Sequence, residues 1–119
     1  MRKNKLKVYV YGRNYKTKDG TCIRDFVHVN DIVRAHYYGL GQFTREKCFK
    51  SYNIGSGKGY SVLEIIKAIE KITKKKLNVV FKKKRLGDPP ILIAKCEKIF
   101  NELNWKPKYQ NIEKIIFTA

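Results

Sequence analysis

The sequence predicts a mixed α/β (α+β) domain, and three observations predict it. Short β-branched and aromatic runs alternate with segments of helical apolar spacing. No repeat, linker or low-complexity stretch divides them. A content of 43% hydrophobic and 13% aromatic residues in 119 supplies one modest core, so a single domain spanning 1–119 is expected.

Leu6 to Tyr11 is β-branched and aromatic and stops at Gly12, the pattern of a strand with a tight exit. Lys16 to Gly20 reads as a turn centred on Asp19-Gly20. Ile23 to Val29 is a second short strand, after which Asn30 caps a helix from Asp31 to about Leu40 that Gly39 and Gly41 break. Ser51 to Ile54 is a strand leading into the glycine run Gly55 to Gly59. Ser61 with Glu64 three residues on forms a capping box, with Tyr60 placed to staple against Ile65. Val62, Ile65, Ile66, Ile69 and Ile72 then recur at helical spacing opposite Lys67, Glu70 and Lys71. Leu77 to Phe81 is a strand with Leu77, Val79 and Phe81 on one face, and Ile91 to Ala94 is a further extended piece after Pro89-Pro90. Cys96, Ile99, Phe100 and Leu103 line one side of a helix that ends by Lys106, because Pro107 disfavours helix in the residue before it. Asn111 caps a last helix running to Ala119.

The formal net charge is +17, from 27 Lys and Arg against 10 Asp and Glu, a balance that repels itself and attracts polyanions at low salt. The positive charge is scattered: 21 of the 27 basic residues are Lys, running from Lys3 to Lys114. Abundant Lys, Asn, Ile and Tyr is also what a coding sequence rich in A and T produces. The triplets Lys74 to Lys76 and Lys82 to Lys84 are phosphate-attracting ridges or, more commonly, solvated edges that discourage strand pairing. No interleaved aromatics accompany them in the sequence, so nucleic acid is not the expected partner.

Cys22, Cys48 and Cys96 are odd in number and lack a Cys-Xaa-Xaa-Cys pair or an adjacent His, which reads as reduced thiols in a cytoplasmic protein with no zinc site. The basic start Met1 to Lys5 resembles the n-region of a signal peptide, but Gly12 and Arg13 interrupt the apolar residues that follow. No run approaches the roughly 20 apolar residues that span a bilayer.

Five segments carry chemistry in a fixed order. Thr21-Cys22-Ile23-Arg24-Asp25-Phe26-Val27-His28-Val29-Asn30-Asp31 resembles the Arg-Asp-aromatic-aliphatic-His-Val-Xaa-Asp signature of nucleotide-sugar epimerases in the extended short-chain dehydrogenase/reductase superfamily. Tyr11-Gly12-Arg13-Asn14-Tyr15 with Thr17 and Asp19-Gly20 resembles the loop before it, and Tyr52-Asn53-Ile54-Gly55-Ser56-Gly57 with Ser61-Val62 its Asn-Xaa-Gly-Xaa-Gly turn. Arg85-Leu86-Gly87-Asp88-Pro89 is similar to its Arg-Xaa-Gly-Asp motif, and Leu103-Asn104-Trp105-Lys106-Pro107 to its Leu-Xaa-Trp-Xaa-Pro segment. The Asp-Gly-Thr-Cys-Ile-Arg-Asp run points to the UDP-glucose 4-epimerases, and the resemblance covers essentially the whole chain as their C-terminal portion.

The resemblance implies that Arg24 and Arg85 bind the diphosphate of a UDP-sugar, that Asp88 contacts the ribose hydroxyls, and that Tyr9-Val10-Tyr11 lies against the uracil. Guanidinium groups suit the diphosphate, since each can make two charge-assisted hydrogen bonds to it. Without the ordered motifs, each of these residues reads as a surface ion pair or a core aromatic. His28 reads as a structural residue and His36 as surface or core. Gly55 to Gly59 lacks a Gly-Lys-Ser/Thr ending and reads as close packing at a strand-to-helix turn. Asp25 and Asp31 read as helix-terminus or ion-pair residues.

The family implied holds NAD on an N-terminal Rossmann unit and uses Ser/Thr with Tyr-Xaa-Xaa-Xaa-Lys to interconvert UDP-glucose and UDP-galactose. None of those motifs occurs here. The expectation is therefore a UDP-binding fragment, truncated at both ends, with no catalytic residue, metal or cofactor site of its own. Its expected partners are a UDP-sugar and a separately encoded NAD-binding chain, and the full family enzymes are usually homodimers. The alternatives are a basic nucleic-acid-binding module, or a decayed remnant in which loss of the Rossmann layer exposes the apolar face of the helix Asp31 to Leu40.

Overall fold

The computed structural model describes residues 7–43 and 49–119. Among them the chain forms β1 (Lys7–Tyr11), β2 (Ile23–Asp25), α1 (Val29–Phe43), β3 (Gly59–Ser61), α2 (Val62–Thr73), β4 (Asn78–Lys82), β5 (Ile91–Leu92), α3 (Glu97–Leu103) and α4 (Ile112–Thr118). They divide into two interleaved units, Met1–Arg24 with Gly59–Leu92, and Asp25–Lys58 with Ile93–Ala119.

In the first unit β1 and β4 pair in parallel, with Tyr9 opposite Val80 and Tyr11 opposite Lys82. Alternation along β1 turns Val10 into the core at 2% exposure and leaves Tyr9 and Tyr11 on the outer face. A second sheet has the order β3-β2-β5, with β2 and β5 parallel and Ile23 opposite Ile91. The helix between β3 and β4 starts as its sequence dictates. Ser61 accepts from the Glu64 amide while the Glu64 side chain accepts from Ser61 N–H, and Lys74 closes the helix in the left-handed region. The Asp19 carboxylate ties the 16–20 turn to that cap, accepting from Thr21 N–H at 2.9 Å, from its hydroxyl at 2.7 Å, and from the Ser61 hydroxyl.

In the second unit α1 and α3 close on a core of Ala35, Cys96, Ile99, Leu103 and Trp105, with Tyr52, Ile54, Ala94 and Phe100 packed against it. Fully buried Asp31 accepts from Arg34 at 3.0 Å and from the Lys108 and Tyr109 amides at 2.9 Å each, fastening the 105–110 loop to α1. His28 is buried, stacks on Tyr109 at 4.0 Å, and shares a 3.1 Å hydrogen bond with Thr118. Asn111 caps α4 as expected, accepting from the Glu113 and Lys114 amides.

Several local expectations give way. The extended run after Ile23 ends at Asp25, whose carboxylate turns to bond Ser56 and Gly57. The cap of α1 is not Asn30: its N–H donates to His28 Nδ1 at 3.0 Å, so the imidazole ring fills that role and the helix begins at Val29. Gly39 and Gly41 do not break α1, which continues to Phe43. Ser51 to Ile54 belongs to no sheet among the described residues, whereas Gly59–Ser61, read as the end of a glycine loop, is a strand. The extended piece at Ile91 stops at Leu92. Leu6 and Cys48 lie outside the described residues. Cys22 and Cys96 are free thiols, and burial pushes the Cys96 thiol up, with the Asp25 and Glu97 charges adding to it. Among the described residues no helix is long and apolar enough to cross a membrane.

Candidate functional site

The charged residues that the resemblance assigns to a UDP-sugar, Arg24, Arg85 and Asp88, all belong to the first unit. Arg24, on β2, donates through Nη2 to Asp88 at 2.5 Å and through Nη1 to the carbonyls of Ile23 at 2.8 Å and Pro89 at 2.9 Å. Three acceptors fix the guanidinium plane and leave its Nε–H and one Nη2 hydrogen toward other partners. Asp88 sits in a turn closed by its own N–H on the Arg85 carbonyl at 3.4 Å, so the two motif residues Arg85 and Asp88 are held together by the backbone.

Tyr15 is the residue the sequence reading assigned no role. It is 5% exposed, and its hydroxyl donates to the second Asp88 oxygen at 3.2 Å. Burial pushes the phenol up, and the neighbouring Asp88 charge adds to it. Its position is set by Gly12, whose φ of +89° lets the chain leave β1 sharply; a Cβ at that position would run into the Tyr15 ring. That glycine, directly after a strand and three residues before a tyrosine, is the signal that marks the residue.

Cations cover the tyrosine faces. Arg85 lies 4.0 Å over Tyr11, Lys84 4.3 Å over Tyr15 and Lys82 5.2 Å over Tyr9. The Lys82 to Lys84 triplet thus does have aromatics beside it, brought from β1 and the following loop rather than from its own stretch of sequence. Of the six expected site residues, Arg24 and Asp88 touch, as do Arg85 and Tyr11. Tyr9 is half-exposed on the same strand face as Tyr11. Val10 points its side chain the other way, into the core, and turns only its backbone to that face. No group of three or more His, Cys, Asp or Glu side chains that could hold a metal occurs among the described residues.

The second unit contains the glycine run. Asp25 Oδ1 accepts from the Ser56 amide at 2.9 Å and its hydroxyl at 2.6 Å, and Oδ2 accepts from Gly57 N–H at 3.1 Å and Ala94 N–H at 3.3 Å. The amides that would cradle a phosphate there already hold a carboxylate, so the run does not fit the pyrophosphate of a dinucleotide.

The sequence profile of the GDP-mannose 4,6-dehydratase family matches residues 2–116. The chain belongs to this family. Within the GDP-mannose 4,6-dehydratase family it is similar to the UDP-glucose 4-epimerase of Lacticaseibacillus casei, 44% identical over 92% of this chain and 33% of the relative. It is similar also to that of Halalkalibacterium halodurans, 38% identical over 92% and 33%. Among solved structures, the Brucella ovis UDP-glucose 4-epimerase in complex with NAD superposes with a TM-score of 0.86 at 37% identity, over 94% of this chain and 34% of that one. The Bifidobacterium longum UDP-glucose 4-epimerase in complex with NAD+ and UDP superposes with 0.79 at 37% identity, over 92% and 32%. The chain therefore spans about a third of the length of the relatives it matches. The mixed α/β class and the resemblance to the epimerase C-terminal portion both hold.

Proposed function

We propose that the first unit grips the UDP moiety of a nucleotide sugar. What supports this reading is that Arg24 pairs with Asp88, that the Asp88 N–H closes a turn on the Arg85 carbonyl, and that the Arg85 guanidinium lies over Tyr11. Asp88 neutralises part of Arg24 and holds its plane still, so the free Nε and Nη2 edge meets a phosphate without an ordering cost. The Asp88 carboxylate, an acceptor only, suits the donating hydroxyls of a ribose. A uracil seated on the outer face of β1 takes the place of the Arg85 guanidinium over Tyr11, and the displaced guanidinium turns to the diphosphate. In support, the Bifidobacterium longum relative was crystallised with UDP and NAD+.

The chemistry of epimerisation does not come from this chain in this reading, which names no catalytic residue in it. NAD supplies the hydride transfer in the full family enzyme, on that enzyme's own N-terminal unit; for this chain a separate NAD-binding chain would have to bring it. A cytoplasmic location and the homodimeric state of the full enzymes belong to the same proposal. The competing reading is a nucleic-acid surface, and the cation–tyrosine pairs at Lys82 and Lys84 are the observation in its favour.

Calorimetric titration with UDP, UMP and uridine tests the proposal. UDP binds more tightly than uridine, and Arg24→Ala and Arg85→Ala each weaken UDP by at least about tenfold, as loss of a charge-assisted pair requires. Arg85→Lys does not restore binding. A folded protein that ignores millimolar UDP while binding a 20-mer single strand in a steeply salt-dependent way supports the nucleic-acid surface instead.

A further inference from the structure

Lys67, Lys71 and Lys74 stand at i, i+4 and i+7 along α2 and its cap, so three ammonium groups share one helix face. Like charges at that spacing oppose the helix. Lys75 and Lys76, which follow, curl round to the same place: with Glu70 these five lysines line a cavity of about 430 Å³. All five lysines are exposed, and Glu70 is half-buried. The triplet Lys74 to Lys76 precedes β4, which begins at Asn78, so it does not guard the edge of that strand.

Hydrogen bonds fix the loop that carries the triplet. The Thr73 hydroxyl donates to the Ile69 carbonyl at 2.8 Å and accepts from Lys75 N–H at 3.4 Å, and Glu70 Oε1 accepts from Leu77 N–H at 2.9 Å. The other Glu70 oxygen accepts from Lys76 Nζ at 3.2 Å, so the one carboxylate of the lining is turned to the loop. Lys74 sits at φ +53°, a conformation that favours glycine; the other such non-glycine among the described residues is Asn104, a type that tolerates it. The helix dipole favours cations at Lys71 and Lys74, but its effect fades within the last turn and does not reach Lys67.

We infer that this cavity binds a short chain of linked phosphates, the class of the inorganic oligophosphates, with the ammonium groups of Lys67, Lys71, Lys74 and Lys75 against its oxygens. Lysine meets phosphate as a point charge on a flexible stem, which suits an anion that presents oxygens on every side. From Lys67 to Lys74 the helix advances about 10 Å, more than one phosphate bridges, so consecutive phosphates fit and a single one does not. No aromatic or aliphatic residue lines the cavity, so nothing there stacks a base or takes up an acyl tail, and nucleic acid and lipid are the poorer occupants. A bound anion also relieves the repulsion along α2. The inference does not rest on the UDP reading, since the cavity shares no residue with Arg24, Arg85, Asp88 or the strand Tyr9 to Tyr11.

Calorimetric titration of the whole chain with inorganic tripolyphosphate, in about 0.15 M sodium chloride to screen diffuse attraction, is the test. One-to-one binding is expected, tighter than that of orthophosphate by at least about tenfold. Lys67→Gln, Lys71→Gln and Lys74→Gln combined weaken it by at least about tenfold. The charge-matched combination Lys58→Gln, Lys95→Gln and Lys108→Gln, at exposed positions of the second unit, changes it by less than about twofold. Lys74→Gly keeps or raises the urea midpoint, because glycine accepts the positive φ, and still weakens tripolyphosphate, which separates loss of the ligand from loss of the fold. Four results overturn the inference: a folded chain that tripolyphosphate does not saturate at millimolar concentration; equal weakening by both combinations, which makes the effect one of net charge; displacement of tripolyphosphate by UDP, which puts the anion at the arginines; and a single-stranded 20-mer that binds more tightly through the same three lysines.

Discussion

At the scale of single residues, the half-buried carboxylates of Asp25 and Asp19 act as knots. Asp25 takes four hydrogen bonds from Ser56, Gly57 and Ala94, and a Cβ added at Gly55 would sit 2.5 Å from its Oδ2 and from the Ala94 Cβ. Gly55→Ala therefore forces the carboxylate back from its donors. It should cost about 2–3 kcal/mol, overpacking and lost hydrogen bonds together, read as a lowered urea midpoint at constant slope. Asp19 acts through its charge. Burial works to raise its carboxyl, but the hydrogen bonds from Ser61 and Thr21 outweigh that and leave it lowered. Unfolded chains then bind more protons than folded ones in the acid window. The contribution is complete above the ordinary carboxylate range near pH ~4 and is lost as pH falls through the lowered value. Asp19→Asn should lower stability at neutral pH and flatten this part of the acid limb, while an acid limb identical to the parent's would show that the carboxylate contributes nothing.

At the scale of elements, what was legible depended on whether the hydrogen bonds are local. The capping box at Ser61 and Glu64, the cap at Asn111 and the stop before Pro107 involve neighbours in sequence, and each stands where its residues put it. Strands need a partner that spacing does not reveal. Ser51 to Ile54 alternates exposed and half-buried residues as a strand would, yet pairs in no sheet among the described residues, while Gly59–Ser61 joins one by lying beside β2. The Arg24–Asp88 pair, 64 residues apart, was legible as two motifs and not as a contact. The role of Tyr15 was legible only through Gly12, because it depends on the turn that this glycine makes. The glycines of α1 misled for another reason: a weak helix former lowers the stability of a helix without ending it where tertiary packing holds the other face. Gly39→Ala meets nothing and keeps helical geometry, so it should raise stability by about 0.5–1 kcal/mol, visible as a higher urea midpoint. A loss instead would mean that close approach at this position matters already in the isolated chain.

At the scale of the whole molecule, the scarcity of acidic residues combines with where they are used. Asp19, Asp25, Asp31 and Asp88 accept internal hydrogen bonds, Glu64 completes a cap, and Glu70 accepts from the Leu77 amide, which holds its carboxyl low. Few are left to offset lysines on the surface, and the net charge of +17 acts largely as self-repulsion. Screening should relieve it. Between 10 mM and 0.2 M sodium chloride the screening length falls from about 30 Å to under ~10 Å, well inside the dimensions of a small domain. The melting temperature should therefore rise across this range, by about 4 °C for each kcal/mol of repulsion removed. Chloride and sulfate at equal ionic strength should act alike if screening is responsible, whereas an effect confined to sulfate would indicate a bound anion at one of the arginine sites. Urea rather than guanidinium has to be the denaturant in the parallel isothermal series, since guanidinium is itself a screening salt. A melting temperature that stays level from low to moderate salt would show that the lysines are spaced widely enough for solvent to insulate them from one another.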